Sequence, residues 1–183
     1  MIKDYEMKHI FMAIAICILV VSPIFIFLLP TFVANTLYHT PDNWYVFVSG
    51  KSYGVYSIGF LFLTLSPLAL FLLADRNRKY SILTSIAFLL LSGLSFYVAS
   101  LNYTSLATDS ISYREMFTTE NHSYSWSEID QVIFHRAQED EGFSEYEFRF
   151  NDGNELTLVE NGTVRGLRDS IVNRLNAEDI TIE

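Results

Sequence analysis

The residues best equipped for chemistry lack the spacing that chemistry needs. Glu139, Asp140 and Glu141, with Glu145 nearby, offer carboxylates to a hard cation. They do not follow a fixed ligand loop, so a solvated hairpin tip is expected instead. His122 and His135 stand without a C-x-x-C or H-E-x-x-H frame and are expected on strand surfaces. Serines are abundant, but no G-x-S-x-G elbow surrounds one. No glycine-rich loop of the P-loop or dinucleotide type occurs either. The expectation is a protein with no catalytic residue, no metal and no cofactor. Cys17 is the only cysteine, so an intrachain disulfide is impossible, and it reads as a small apolar residue of the first hydrophobic run. Three sequons, beginning at Asn102, Asn121 and Asn161, would matter only in a secretory eukaryotic setting.

The elements that carry these residues differ sharply in composition. Residues 1–101 hold six basic side chains against four acidic ones, whereas residues 102–183 hold six Arg, no Lys and seventeen Asp and Glu, a net −11. So abrupt a shift predicts two domains: a transmembrane region over 1–101 and a soluble acidic β-rich domain over 102–183. The acidic half would repel a phosphate backbone, which argues against nucleic acid as a partner. It would also be repelled by anionic headgroups.

Three uncharged runs, about 10–30, 54–74 and 80–101, each approach the roughly 20 apolar residues needed to cross a ~30 Å hydrocarbon core. The first is longer than a signal-peptide core and is expected to be retained. Basic residues fix the direction. Arg76, Arg78 and Lys79 crowd the short link, while the long link over 31–53 has only Lys51. With Lys3 and Lys8 at the start, this predicts a multi-pass cell-membrane protein with a cytoplasmic N-terminus and an external C-terminal domain. The long link is aromatic (Tyr38, Trp44, Tyr45, Phe47, Tyr53) and is expected to lie at headgroup level. None of the spans contains Asp, Glu, Lys, Arg or His, which argues against a pump or transporter.

Pro23 and Pro67 are expected to kink their helices, with Ser22 and Ser66 placed to satisfy freed carbonyls. Ser81, Ser85, Ser92, Ser95 and Ala99 recur on one face of the third span. Such a stripe lets helices approach closely in lipid, so Ser85, Ser92 and Ser95 are the expected helix interface, within the chain or between copies.

Beyond residue 109 the period becomes that of strands. Ser110-Ile111-Ser112-Tyr113 alternates, and so does His122–Trp126, while Val132-Ile133-Phe134 begins another strand. Ser127 is expected to cap a short turn. Tyr146, Phe148 and Phe150 alternate with charged residues, then Asp152-Gly153 turns the chain toward Leu156 and Leu158, a hairpin signature. Val164, Leu167, Ile171, Val172 and Leu175 share one helical face. The predicted class is therefore a membrane α-helical region of three transmembrane helices joined to a small α+β domain, an antiparallel sheet closed by one C-terminal helix.

The segment from Tyr124 through Trp126 and Ile129 to Val132, the hairpin from Phe148 to Gly153, and the closing helix together resemble the bacterial pleckstrin-homology-like (PH-like) domains found beside transmembrane helices. The resemblance covers about residues 109–176. It implies a core containing Trp126, Ile129, Val132 and Phe150 and a turn at Gly153; Phe148 joins that core by alternation. A seven-stranded fold is implied, of which five or six strands are legible. The basic headgroup-binding loop of eukaryotic relatives is missing. The expected function is a membrane-anchored interaction or scaffold module without catalysis, in contact with membrane lipid and with a protein partner or its own copy. The alternative is a membrane enzyme or transport accessory subunit with a site between the external loop and the C-terminal domain, where His39, Asp42 and Lys51 are the ionisable groups of the loop.

Overall fold

The structure, a computed structural model, describes residues 2–75, 77–137 and 142–183, with side chains from residue 8 onward. The acidic run at 139–141 lies outside the described residues. Among the described residues four helices and seven strands follow one another as α1 (Ile2–Tyr38), β1 (Asn43–Phe47), α2 (Gly50–Leu73), α3 (Arg78–Ser100), β2 (Tyr103–Ala107), β3 (Ser110–Arg114), β4 (His122–Ser125), β5 (Ile129–His135), β6 (Glu145–Phe150), β7 (Glu155–Val159) and α4 (Gly162–Ala177). The chain forms two compact units. One contains residues 1–41, 45–105 and 114–120, and the other Asp42–Trp44, Leu106–Tyr113 and Asn121–Glu183.

In the helical unit α1, α2 and α3 are all long and apolar enough to cross a membrane, which makes this a multi-pass membrane protein. α1 runs unbroken through Pro23 and Pro30 to Tyr38, beyond the apolar run itself. Pro23 has no N–H to give the carbonyl of Leu19, and the Ser22 hydroxyl donates to that carbonyl at 3.0 Å. Ser66, which precedes Pro67, is used differently: it lies 2.8 Å from the Ser85 hydroxyl and donates to the Ser85 carbonyl.

α2 and α3 pack through small residues. Ser81 donates to the Ala69 carbonyl at 3.2 Å and Ser92 to the Gly59 carbonyl at 2.8 Å. At Gly59 the Phe96 ring lies against the α2 backbone, since a Cβ there would stand 2.6 Å from it. Ser95 is half-buried, and its hydroxyl donates back to the Leu91 carbonyl of its own helix. At the Ser100 end of α3, Tyr38 stacks on Tyr103 with ring centroids 3.7 Å apart and donates to the Ser100 carbonyl.

The strands form two antiparallel ladders. β1-β2-β3-β4 form a four-stranded sheet and β5-β6-β7 a three-stranded one. β1 comes from the link between α1 and α2, where an interfacial aromatic belt was expected. Its neighbour Asp42 accepts from the Thr108 amide at 3.1 Å. Trp44 stacks on Trp126 at 5.5 Å and donates from Nε1 to Thr108 Oγ1.

Trp126 is the largest buried side chain, 1% exposed, and donates from Nε1 to the Ala107 carbonyl at 3.1 Å. Ile129, Val132, Phe148 and Phe150 are buried with it. Ser125, rather than Ser127, anchors the turn at Trp126–Glu128, in a capping box with the Glu128 carboxylate. Gly153 turns the hairpin at φ +85°, where a Cβ would be strained.

α4 starts at an Asn161 cap that accepts from the amides of Thr163 and Val164. It buries Val164, Ile171 and Leu175. It ends with Asp179 at φ +59° and the Ile180 amide donating back to the Leu175 carbonyl, the hydrogen-bond pattern that reverses a chain after a helix. That reversal sends the last residues along β5.

Candidate functional site

The three-stranded sheet presents one polar face and one open edge, and together they form the best-defined surface feature of the β-rich unit. Alternation turns Tyr146, Phe148 and Phe150 of β6 into the core and leaves Glu145, Glu147 and Arg149 outside. The register places Glu147 opposite Ile133 on one side and Thr157 on the other. Glu147 is the hub of this face. His135 Nε2 lies 2.7 Å from its Oε2, and Arg149 Nε and a terminal nitrogen both reach its Oε1 at 2.6 Å. Arg149 also reaches Glu155 at 3.4 Å.

The hydrogen bond from His135, and then that from Arg149, hold the Glu147 carboxyl below the ordinary carboxylate range. A lowered folded-state pKa adds stability that is present above the unfolded value, about 4.3, and lost as pH falls through the folded one. The chain should therefore be more stable than Glu147→Gln at pH 7, and the gap should close below about pH 4. Urea midpoints of the full chain in detergent, taken at both pH values, check this.

The edges of the sheet differ. β5 is covered: the Phe134 amide donates to the Glu183 carbonyl at 2.7 Å, and the Glu183 amide to Val132 at 2.9 Å. β7 is open. The Phe150 amide donates to the Asn154 carbonyl at 2.9 Å, which fixes the phase of the β6–β7 ladder. Hydrogen-bonded and non-bonded pairs alternate from there, so Leu156 and Leu158 bond to β6, while the amides and carbonyls of Glu155 and Thr157 face away from it. Among the described residues no backbone group meets those of Glu155 and Thr157. β4 is also an edge, but at four residues it offers a short template.

A second polar cluster ties the two ladders together. The Tyr124 hydroxyl donates to Asp152 Oδ2 at 2.6 Å and accepts from Asn154 Nδ2 at 2.8 Å, while its ring stacks on Phe150 at 3.9 Å. His122 Nδ1 stands 3.4 Å from the same hydroxyl. Burial first, and the bond to Asp152 second, push the Tyr124 hydroxyl up; the Asp152 carboxyl is held low, chiefly by that same bond. A phenol made harder to ionise, bonded to a carboxylate made harder to protonate, is a tie between strands rather than a proton shuttle.

His122 and His135, expected on strand surfaces, thus belong to two different polar clusters. Ser85 and Ser92 lie in the helical unit. Trp126, Ile129, Val132, Phe148 and Phe150 underlie the sheets of the β-rich unit, and Gly153 sits at the hairpin turn. Among the described residues no three of His, Cys, Asp and Glu gather as a metal site. The partners of Glu147 and the open edge depend on register, which carries no local sequence mark.

Fold and site define a class: a multi-pass membrane protein with two small antiparallel sheets, whose strands after the first follow its last span. No family model matches the chain, and no curated protein or solved structure matches it.

Proposed function

We propose that this protein is a membrane-anchored interaction module whose β-rich unit is a PH-like domain, and that its docking element is the open edge of β7. The observation that carries the reading is the pair of outward-facing backbone units at Glu155 and Thr157, beside a strand edge that the chain covers for itself at β5. An unpaired edge recruits an extended segment by main-chain hydrogen bonds, and neighbouring side chains then select it. The net −11 of residues 102–183 would steer a cationic segment to that edge. The PH-like assignment is supported by a four-stranded and a three-stranded sheet followed by a helix, with β1, which lies before α2 and α3 in the chain, and β2 supplying the two strands that alternation does not mark.

The test is a photo-crosslinking residue at Val159, which is exposed at the end of the edge. In native membranes it should yield one dominant protein adduct. Thr157→Pro removes an outward N–H and leaves the bonds from Leu156 and Leu158 to β6, so it should cut the adduct at least tenfold without unfolding the unit. Equal adducts with and without the proline, or none at all from a folded protein, would overturn the proposal. A small molecule retained through mild-detergent purification, with no protein adduct, would point instead to an accessory subunit.

The direction we propose is N-terminus cytoplasmic and C-terminal unit external, from three basic residues in the 75–79 link against one in the 31–53 link. A periplasmic-type reporter fused after Glu183 should be active. Activity only of a cytoplasmic reporter at that position would reverse the assignment.

A further inference from the structure

The segment between β3 and β4 carries a conformation that its sequence resists. Glu115, Met116, Phe117 and Thr118 form a tight turn in which the Thr118 amide, at 3.4 Å, and its hydroxyl, at 3.1 Å, both donate to the Glu115 carbonyl. Phe117 takes the third position at φ +68°, a left-handed conformation that glycine normally supplies and a bulky side chain resists. The outcome is a phenyl ring 77% exposed, the most exposed large apolar side chain among the described residues. In water such a ring gains nothing from this position, and the backbone is strained to hold it there.

The location of the turn says what the ring meets. Residues 114–120 belong to the helical unit, not to the β-rich one. The Arg114 carbonyl accepts from Asn102 Nδ2 at 3.2 Å, and Asn102 Oδ1 accepts from Ser52 at 3.1 Å. Ser52 lies in the first turn of α2 and Asn102 two residues past α3, so Arg114 is pinned where two spans leave the hydrocarbon. Its guanidinium lies 6.0 Å from the centre of the Tyr103 ring. Phe117 is three residues further on, within about 10 Å along the chain. The headgroup layer on each side of a bilayer is roughly 5–8 Å thick, so a ring tethered there is within reach of it.

We infer that Phe117 is a membrane-interface anchor: its ring inserts at the boundary between headgroups and acyl chains, in the leaflet at the Ser100 end of α3. The occupant of this surface is the bilayer that holds the protein's own helices. Those helices themselves expose apolar side chains such as Leu94 and Tyr97. The anchor is apolar rather than electrostatic, because the turn is flanked by Glu115 and Glu120, which anionic headgroups would repel. Insertion should therefore occur in zwitterionic lipid and be insensitive to salt.

The experiment uses the full chain in phosphatidylcholine nanodiscs. Cys17→Ser removes the native thiol, Phe117→Cys receives a nitroxide, and collision with oxygen is compared with collision with a water-soluble nickel chelate. A nitroxide at Leu94→Cys gives the lipid limit, and free nitroxide in buffer gives the aqueous one. The expected ratio at position 117 lies between these limits and favours oxygen at least threefold over the aqueous value. A ratio equal to the aqueous limit overturns the inference. So does shielding from both collision partners, which would mean that protein covers the ring. A second label, at Thr119→Cys, leaves Phe117 in place. Its nickel accessibility should rise at least twofold on Phe117→Ser, and an unchanged value also overturns the inference.

Discussion

Trp126→Ala should unfold the β-rich unit of the full-length protein under conditions where the unchanged chain is folded. The indole is buried, its Nε1 donates to Ala107, and one face stacks on Trp44. Truncating a buried Trp costs about 3–5 kcal/mol, and a small domain has only about 5 kcal/mol or somewhat more in reserve. The Ala107 carbonyl would also lose its partner. Near-UV circular dichroism through a urea titration, in detergent, should show the cooperative transition of this unit moved to a much lower midpoint or lost. Trp44→Ala should cost less, because Trp44 is only half-buried and its hydrogen bond to Thr108 is at the surface. The two losses should not add: the stacked pair should carry a coupling of about 0.5–1.5 kcal/mol in a double-mutant cycle. An unchanged midpoint for Trp126→Ala would mean that the unit does not depend on its indole.

Ser92→Leu should be the most damaging single change in the helical unit. Ser92 is 1% exposed and its hydroxyl bonds to Gly59 across a contact that already lacks room for a Cβ. Leu loses that bond, worth about 0.6 kcal/mol in a membrane, and forces extra methyl groups into the tight crossing, at about 1–3 kcal/mol. Thermal denaturation in detergent should move down by roughly 5–10 °C. Ser95→Leu, at a half-buried position whose hydroxyl bonds within its own helix, should move the midpoint less than Ser92→Leu does. The contact lies within one chain, so the particle mass measured by light scattering should be the same for both variants. A fall in mass with Ser92→Leu would place the serine stripe between copies instead.

The spans were legible because lipid imposes a single rule: twenty-odd apolar residues with every backbone group satisfied by its own helix. The β6–β7 hairpin was legible because alternation and Asp152-Gly153 act over a few residues. β1 was hidden. Asn43-Trp44-Tyr45-Val46-Phe47 has no polar alternation, and it pairs with β2 across two intervening helices. Aromatic residues between two spans suit a headgroup belt equally well, and only the distant partner decides. The site was half legible. Alternation put Glu147 and Arg149 on one face, but the meeting with His135 depends on the register of β5. The left-handed Phe117 carries no sequence sign at all, because the residue that normally marks that conformation is glycine.

The pairing of β1 with β2 ties folding to insertion. β1 is made before α2, and β2 only after α3, so the earlier strand must wait, unpaired, while two helices are synthesised and placed. Adjacent strands of one sheet lie on the same side of a bilayer, which demands an even number of crossings between them. A chain in which only one of α2 and α3 inserted would leave β1 and β2 on opposite sides, and the four-stranded sheet could not close. Pairing of β1 with β2 thus requires α2 and α3 to insert together or not at all, and a chain with just one of them inserted would keep unpaired strands open to proteolysis.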